Sequence, residues 1–149
     1  MNNVVFQVNI KGHRVKKEFE YSTKSWANWC KKNDYSHFVL EEPIQNLEYM
    51  NANWHKFYVL SMLENEGIDY ESVCIVDADT IVHPDCPDFF KMVGDRFGVV
   101  QSDGCYEWVN RSIKKYGQYL FPDIELRTWE YFNSGFMVLN KKHSKFCEE

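Results

Sequence analysis

A chain of 149 residues that is 44% hydrophobic and 17% aromatic is long enough to form one domain with a buried core, so its composition excludes a disordered protein. Its formal net charge of −5 argues against nucleic-acid binding, which requires a basic face. Because no segment resembles a signal peptide or approaches membrane-spanning length, we expect no membrane span. The five cysteines are odd in number and contain no Cys-x-x-Cys pair, which favours reduced thiols and a cytoplasmic location.

Strands and helices are predicted to alternate along the chain, which indicates an α/β layered domain. The predicted strands cover residues 4–10, 37–40, 73–76, 97–101 and 136–139, and the predicted helices cover residues 22–32, 53–66, 88–93 and 107–116. Ser22 is the expected N-cap of the first helix, and Gly67 is expected to end the second. We expect Trp26, Trp29 and Trp54 in the core, whereas Trp108 and Trp129 lie in less regular segments that suit stacking on a ligand.

The most informative segment is Val73–Val82, which reads Val-Cys-Ile-Val-Asp-Ala-Asp-Thr-Ile-Val. A short apolar run between polar residues is typical of a fully buried strand in a parallel sheet. Ligands of open α/β sheets bind beyond the carboxyl ends of such strands, where Asp77 and Asp79 stand. Two neighbouring carboxylates repel each other, and Mg²⁺ or Mn²⁺ would relieve that repulsion while also holding substrate phosphates. The segment therefore predicts a metal and a phosphorylated substrate.

The strand ending in Asp-Ala-Asp-Thr, together with a later Asn-Ser-Gly that leads into an apolar strand, resembles nucleotide-sugar glycosyltransferases of the GT-A fold. The resemblance is closest to GT8-like, glycogenin-type enzymes and to small viral and bacterial transferases. It covers residues 4–140 and includes Trp54-His55-Lys56, which matches the segment that those enzymes place before their metal-binding strand. It implies a Rossmann-like sheet flanked by helices, with residues 1–149 forming one nucleotide-sugar-binding domain.

The resemblance also implies roles for individual residues. Asp77 and Asp79 would bind Mn²⁺ or Mg²⁺, and the sugar donor, a UDP- or GDP-sugar, would contact Asn9, Lys56, Asp77, Ser134 and Gly135. Asn133 would act in catalysis, as would Asp103, which follows the fourth predicted strand. The acceptor would be a glycan or another hydroxyl compound. Glycosyl transfer passes through an oxocarbenium-like transition state, and a divalent cation with a lysine neutralises the departing diphosphate.

The end of the chain departs from the family pattern. Many members take a further metal ligand, a histidine, from well beyond the Asn-Ser-Gly strand, whereas here only His143 follows, too close to Gly135. We therefore expect a chain that is truncated at its carboxyl end or a water molecule in that coordination position.

Other interpretations of these residues remain open at this stage. Lys56 also suits a surface lysine whose stem covers an apolar helix, and Asn133-Ser134-Gly135 also suits an ordinary turn. Asp77, Asp79 and Thr80 fit the first motif of haloacid-dehalogenase-type phosphatases, in which Asp77 would be the nucleophile. That family places the motif near its amino terminus, whereas two strands and two helices are predicted before it here. A non-catalytic nucleotide-sugar-binding domain is the third alternative.

Overall fold

The computed structural model describes residues 2–10, 17–101 and 104–148 and has a mixed α/β fold. Its strands are β1 (Val4–Val8), β2 (Ser36–Leu40), β3 (Ser72–Val76), β4 (Gly98–Gln101) and β5 (Phe132–Asn140). Its α-helices are α1 (Lys17–Asn33), α2 (Val59–Asn65), α3 (Phe89–Val93), α4 (Tyr106–Leu120) and α5 (Ser144–Glu148). Short 3-10 helices cover Ala52–Tyr58, Thr128–Glu130 and Lys141–His143. The predicted α/β class is confirmed.

The five strands form one open sheet, as the resemblance implied, and their order is β2-β1-β3-β5-β4. β1 pairs in parallel with β2 and with β3, so the carboxyl ends of these three strands lie at one edge. β5 instead runs antiparallel to β3, with Phe136 opposite Val76 and Asn140 opposite Ser72. The parallel pairing that the buried β3 sequence predicted is therefore found with β1 but not with β5. The antiparallel direction brings the beginning of β5 beside the end of β3.

Helix α1 packs on one face of the sheet and forms an aromatic core with it. Every residue of β3 is buried, as its apolar sequence predicted. Trp26 and Trp29 of α1 lie over residues of β1, β3 and β5, among them Val5 and Val138. The Trp29 ring stacks on Phe89 of α3 with 4.6 Å between ring centroids, which joins α3 to the same core. The 3-10 helix Ala52–Tyr58 also packs against β1.

Two predictions about the first half of the chain are wrong. Ser22 is a fully buried residue inside α1, since the helix begins at Lys17 and the Ser22 hydroxyl accepts a hydrogen bond from Gln7. Trp54 is 62% exposed and does not belong to the core. Residues 52–58 form a 3-10 helix with about three residues per turn, so the face expected for an α-helix is not the face that is buried.

The helix ends follow the sequence more closely. Gly67 has φ of 66° just after α2, a conformation that favours glycine, and the amide of Ile68 donates to the Leu63 carbonyl. The Asp88 side chain caps α3 by accepting a hydrogen bond from the amide of Lys91. Across the three described ranges, no helix combines the length and the apolar character needed to cross a membrane.

The chain divides into two compact units. The first contains Met1–Gly98 and Gly135–Glu149, and the second contains Val99–Ser134. Within the second unit, the rings of Trp108 and Tyr131 meet edge to face at 5.7 Å, and the side chain of Gln101 donates to the Trp129 carbonyl. That residues 1–149 act as one functional domain stays a prediction.

Gly98→Ala is expected to destabilise the first unit. A Cβ at this position would lie 2.6 Å from a methyl carbon of Val93 and 3.2 Å from Cβ of Val138. Overpacking of this kind typically costs about 1–3 kcal/mol of unfolding free energy, measured by urea denaturation. Val93→Ala creates space at the clash, so the double variant should lose less stability than the two single losses combined. Strict additivity would show that Val93 is not the obstacle.

Candidate functional site

A cavity of about 280 Å³ opens where β1 and β3 end. β1 connects through α1 to β2 on one side, and the chain then crosses to β3 on the other side. The strand order therefore reverses between β1 and β3, which is where open α/β sheets bind ligands. The residues that follow β1 and those that follow β3 line the cavity from neighbouring strands, together with the 3-10 helix Ala52–Tyr58.

A lysine and an aspartate form an ion pair in this cavity. Lys56 Nζ lies 2.9 Å from Asp77 Oδ1, and the Lys56 side chain is only 7% exposed whereas that of Asp77 is 44% exposed. The alternative of a surface lysine on an apolar helix is therefore wrong. The sequence neighbour His55 is fully buried and accepts a hydrogen bond from the amide of Ile44, which anchors the 3-10 helix that carries Lys56.

Asp79 lines the same cavity and is exposed. The cavity wall therefore carries two carboxylates and one ammonium group, a local balance of one negative charge. Within residues 2–10, 17–101 and 104–148, no group of three or more His, Cys, Asp or Glu side chains is placed to hold a metal ion. A cation bound here would complete its coordination with oxygen ligands from water or a substrate in addition to the two carboxylates.

Asn9 lies in the cavity wall, where its backbone amide donates to the Leu40 carbonyl at 2.9 Å, and its contact to a sugar donor stays a prediction. Sequence reasoning missed three further lining residues, Phe19, Asn51 and Asn53. Asn51 caps the 3-10 helix by accepting from the amide of Asn53. An asparagine just before a helix is an N-cap signal, so the sequence could have located Asn51 at this part of the cavity wall. Nothing local marks Phe19.

Gly135 is brought to the end of β3. Its carbonyl accepts a hydrogen bond of 2.9 Å from the amide of Asp77, which continues the β3–β5 pairing beyond Val76. The Asn-Ser-Gly segment was expected to precede its strand, or to form a turn, but all three residues lie within β5. Asn133 and Ser134 belong to the second unit, so their predicted place in the sugar pocket stays a prediction.

The remaining sequence candidates are distributed as follows. Asp103, predicted to be catalytic, lies outside the described residues. His143 caps the last 3-10 helix, where its Nδ1 accepts from the amide of Asn140. Trp108 and Trp129 are 52% and 65% exposed in the second unit, and their stacking on a sugar stays a prediction.

No family model matches this chain, and no curated protein matches it. Among solved structures, it is similar to a glycosyltransferase involved in the glycosylation of the major capsid of PBCV-1, with a TM-score of 0.68 at 10% identity. The match covers 99% of this chain and 64% of that one, so this chain spans less than two thirds of its length. A protein from STIV matches with a TM-score of 0.36 at 9% identity, over 97% of this chain and 68% of that one. The first match shows that this chain has a glycosyltransferase-like fold.

Lys56→Met is expected to strengthen binding of Mn²⁺ alone. The substitution keeps a long side chain but removes the ammonium group beside Asp77, which leaves the cavity with two uncompensated carboxylates. A gain of about tenfold corresponds to roughly 1.4 kcal/mol of removed charge repulsion. Electron paramagnetic resonance of free Mn²⁺ measures the affinity directly. Lys32→Met is the matched control, because Lys32 pairs with Asp85 at an exposed position. Equal Mn²⁺ affinity in wild type and Lys56→Met would contradict this role of Lys56.

Proposed function

We propose that this chain is a metal-dependent glycosyltransferase of the GT-A type, which moves a sugar from a UDP- or GDP-sugar to a glycan or another hydroxyl acceptor. The observation that carries the proposal is the cavity at the reversal of strand order, where Asp77 and Asp79 stand with the nearly buried Lys56. The glycosyltransferase-like fold supports it. The PBCV-1 neighbour is described as involved in the glycosylation of the major capsid, and the acceptor of this chain stays a glycan or another hydroxyl compound in this proposal.

The residues in the cavity fit a divalent cation that is completed by a substrate. Mg²⁺ is commonly bound through one or two carboxylates together with substrate phosphates, and Mn²⁺ accepts the same oxygen ligands. Asp77 and Asp79 would hold the ion, and their position in one cavity wall agrees with that need. When bound, the ion would offset negative charge on the donor diphosphate.

The protein's own groups have separate tasks in this proposal. Lys56 would bind the donor diphosphate, because a nearly buried ammonium group attracts an anion strongly where little water screens it. Asn9 would orient the ribose or base through its side-chain amide, since it follows β1 at the cavity wall. The backbone of Gly135, beside Asp77, would allow close approach of the sugar. Asn133, Ser134 and Asp103 keep their proposed contacts to the sugar.

A reducing compartment, the cytoplasm, is the proposed location. Cys30, Cys74, Cys86 and Cys105 carry free thiols. Burial raises the pKa of Cys30 to about 12 and that of Cys74 well above its ordinary value, so both thiols are unreactive core residues. Neither serves a disulfide framework of the kind that stabilises small secreted domains.

Asp79→Asn is expected to abolish the Mn²⁺-dependent part of UDP or GDP binding. The substitution removes one of the two carboxylate charges in the cavity with almost no change in size. Isothermal titration with and without Mn²⁺ measures the loss. Asp85→Asn is the matched control, since this exposed carboxylate follows in the same segment and pairs with Lys32. An unchanged Mn²⁺ effect in Asp79→Asn would remove this residue from the metal site.

A thermal-shift panel of nucleoside diphosphates, each with and without Mn²⁺, identifies the donor. A ligand at a hundredfold excess over Kd raises the unfolding free energy by about 2.7 kcal/mol. Turnover of the matching nucleotide sugar would then separate a transferase from a binding domain. Hydrolysis of p-nitrophenyl phosphate that depends on Asp77, without nucleotide binding, would instead favour the phosphatase alternative.

A further inference from the structure

The segment that carries Asp77 and Asp79 is tied to helix α1 through a side-chain relay. The Asp77 carbonyl accepts hydrogen bonds from the Thr80 amide at 3.2 Å and from the Thr80 hydroxyl at 2.7 Å. The hydroxyl has one hydrogen, which it donates to Asp77, so its oxygen is left to accept from Trp26 Nε1 at 3.0 Å. Trp26 is 4% exposed, which fixes the donor end of the relay within the core.

A second contact reaches the same carbonyl from inside the sheet. Gln7 of β1 is fully buried, and its Nε2 lies 3.4 Å from the Asp77 carbonyl and 2.9 Å from Ser22 Oγ. Its Oε1 lies 3.0 Å from His37 Nε2. Because an amide oxygen only accepts, the His37 ring donates this hydrogen bond through Nε2. The Gln7 amide is thereby oriented with its nitrogen toward Asp77.

Burying the Gln7 side chain costs desolvation free energy. A buried amide in a central strand loses its water, and an apolar side chain of similar size would avoid that loss. Gln7 and Thr80 both donate hydrogen bonds to one backbone atom, the carbonyl oxygen of Asp77. Asp77 is the first residue after β3. Holding that atom restricts the backbone of the whole Asp77–Thr80 turn.

We propose that Gln7, Trp26 and Thr80 are positioning residues that hold the Asp77–Thr80 turn in its ligand-binding conformation before any ligand arrives. The consequence for metal binding rests on the proposed function; the consequence for the turn does not. With the turn already ordered, the conformational entropy of bringing two carboxylates together is not lost at the moment of binding. Binding groups held by their supporting contacts in this way bind more tightly than mobile ones.

The chain contains a matched control for this proposal. Trp29, one turn further along α1, also donates its indole N–H to a backbone carbonyl, that of Cys86 at 3.1 Å. Both indoles are buried in the same core and both contact Phe89. Trp26→Phe and Trp29→Phe therefore remove the same chemical group from the same environment, but only the first change interrupts the relay to Asp77.

The test compares Trp26→Phe, Trp29→Phe, Thr80→Val and Thr80→Ser in the full chain. The first readout is hydrogen exchange of the Thr80 amide in metal-free protein, since that amide donates to the Asp77 carbonyl. The second is Mn²⁺ affinity, followed by electron paramagnetic resonance. Trp26→Phe and Thr80→Val should exchange faster and bind Mn²⁺ at least about tenfold more weakly, as expected for loss of a supporting contact. Trp29→Phe and Thr80→Ser, which keeps the hydroxyl, should behave as wild type in both.

The two readouts separate failure of this proposal from failure of the proposed function. Fast exchange confined to Trp26→Phe and Thr80→Val, with no Mn²⁺ binding by wild type, would support the positioning role and overturn the metal site. Mn²⁺ binding by wild type with unchanged exchange and affinity in Thr80→Val would overturn the positioning role alone. Equal effects of Trp26→Phe and Trp29→Phe would also overturn it, because they would reflect general loss of core packing.

Discussion

The charge balance at the carboxyl end of β3 is the constraint on which the site depends. β3 is buried along its whole length, so the chain leaves an apolar interior directly at Asp77. The ammonium group of Lys56 lies 2.9 Å away and is itself almost completely removed from water. A lysine this buried needs a paired charge, and the desolvation of such pairs often exceeds their Coulomb attraction. The Lys56–Asp77 pair is therefore not explained by a gain in folding stability. A requirement for charged groups at this edge of the sheet explains it better.

The sheet topology explains why that charge is accessible from one side. β2, β1 and β3 run in parallel, so their carboxyl ends share one edge, and the reversal between β1 and β3 leaves a crevice there. On the other side of β3, the antiparallel β5 contacts Asp77 through a backbone hydrogen bond, which the Asp77 amide donates to the Gly135 carbonyl. Asp77 is consequently held by strands on both sides while its side chain remains in the cavity.

The sequence predicted those parts of the fold that depend on local pattern. β3 was evident because the four residues Val73–Val76 form a continuous apolar run, and Gly67 was evident because its backbone conformation favours glycine. The helical character of residues 53–58 was predicted, but Trp54 was misplaced because a 3-10 helix and an α-helix bury different faces. The start of α1 was missed because Ser22 is a good N-cap by type, whereas its hydroxyl is used by Gln7 instead. Tertiary contact decided both cases.

Only those residues of the candidate site that belong to a recognisable sequence motif could be predicted from the sequence. Asp77 and Asp79 follow from their place after β3, and Lys56 followed from the resemblance, since no local pattern joins it to Asp77. Gln7 and Phe19 carry no local signal, because their importance arises from strands and helices that are distant in sequence. The antiparallel direction of β5 likewise depends on its partner and not on its own residues.

The contacts of Asp77 divide cleanly between its backbone and its side chain. Its amide donates to Gly135 and its carbonyl accepts from Gln7 and Thr80, whereas its carboxylate faces Lys56. A change confined to the carboxylate therefore leaves the backbone anchors in place, and a change at Thr80 leaves the charge in place. At this turn, Gln7 and Thr80 fix the backbone position, whereas the Asp77 carboxylate provides the charge. Substituting a residue of one kind therefore measures its contribution to binding separately from the other.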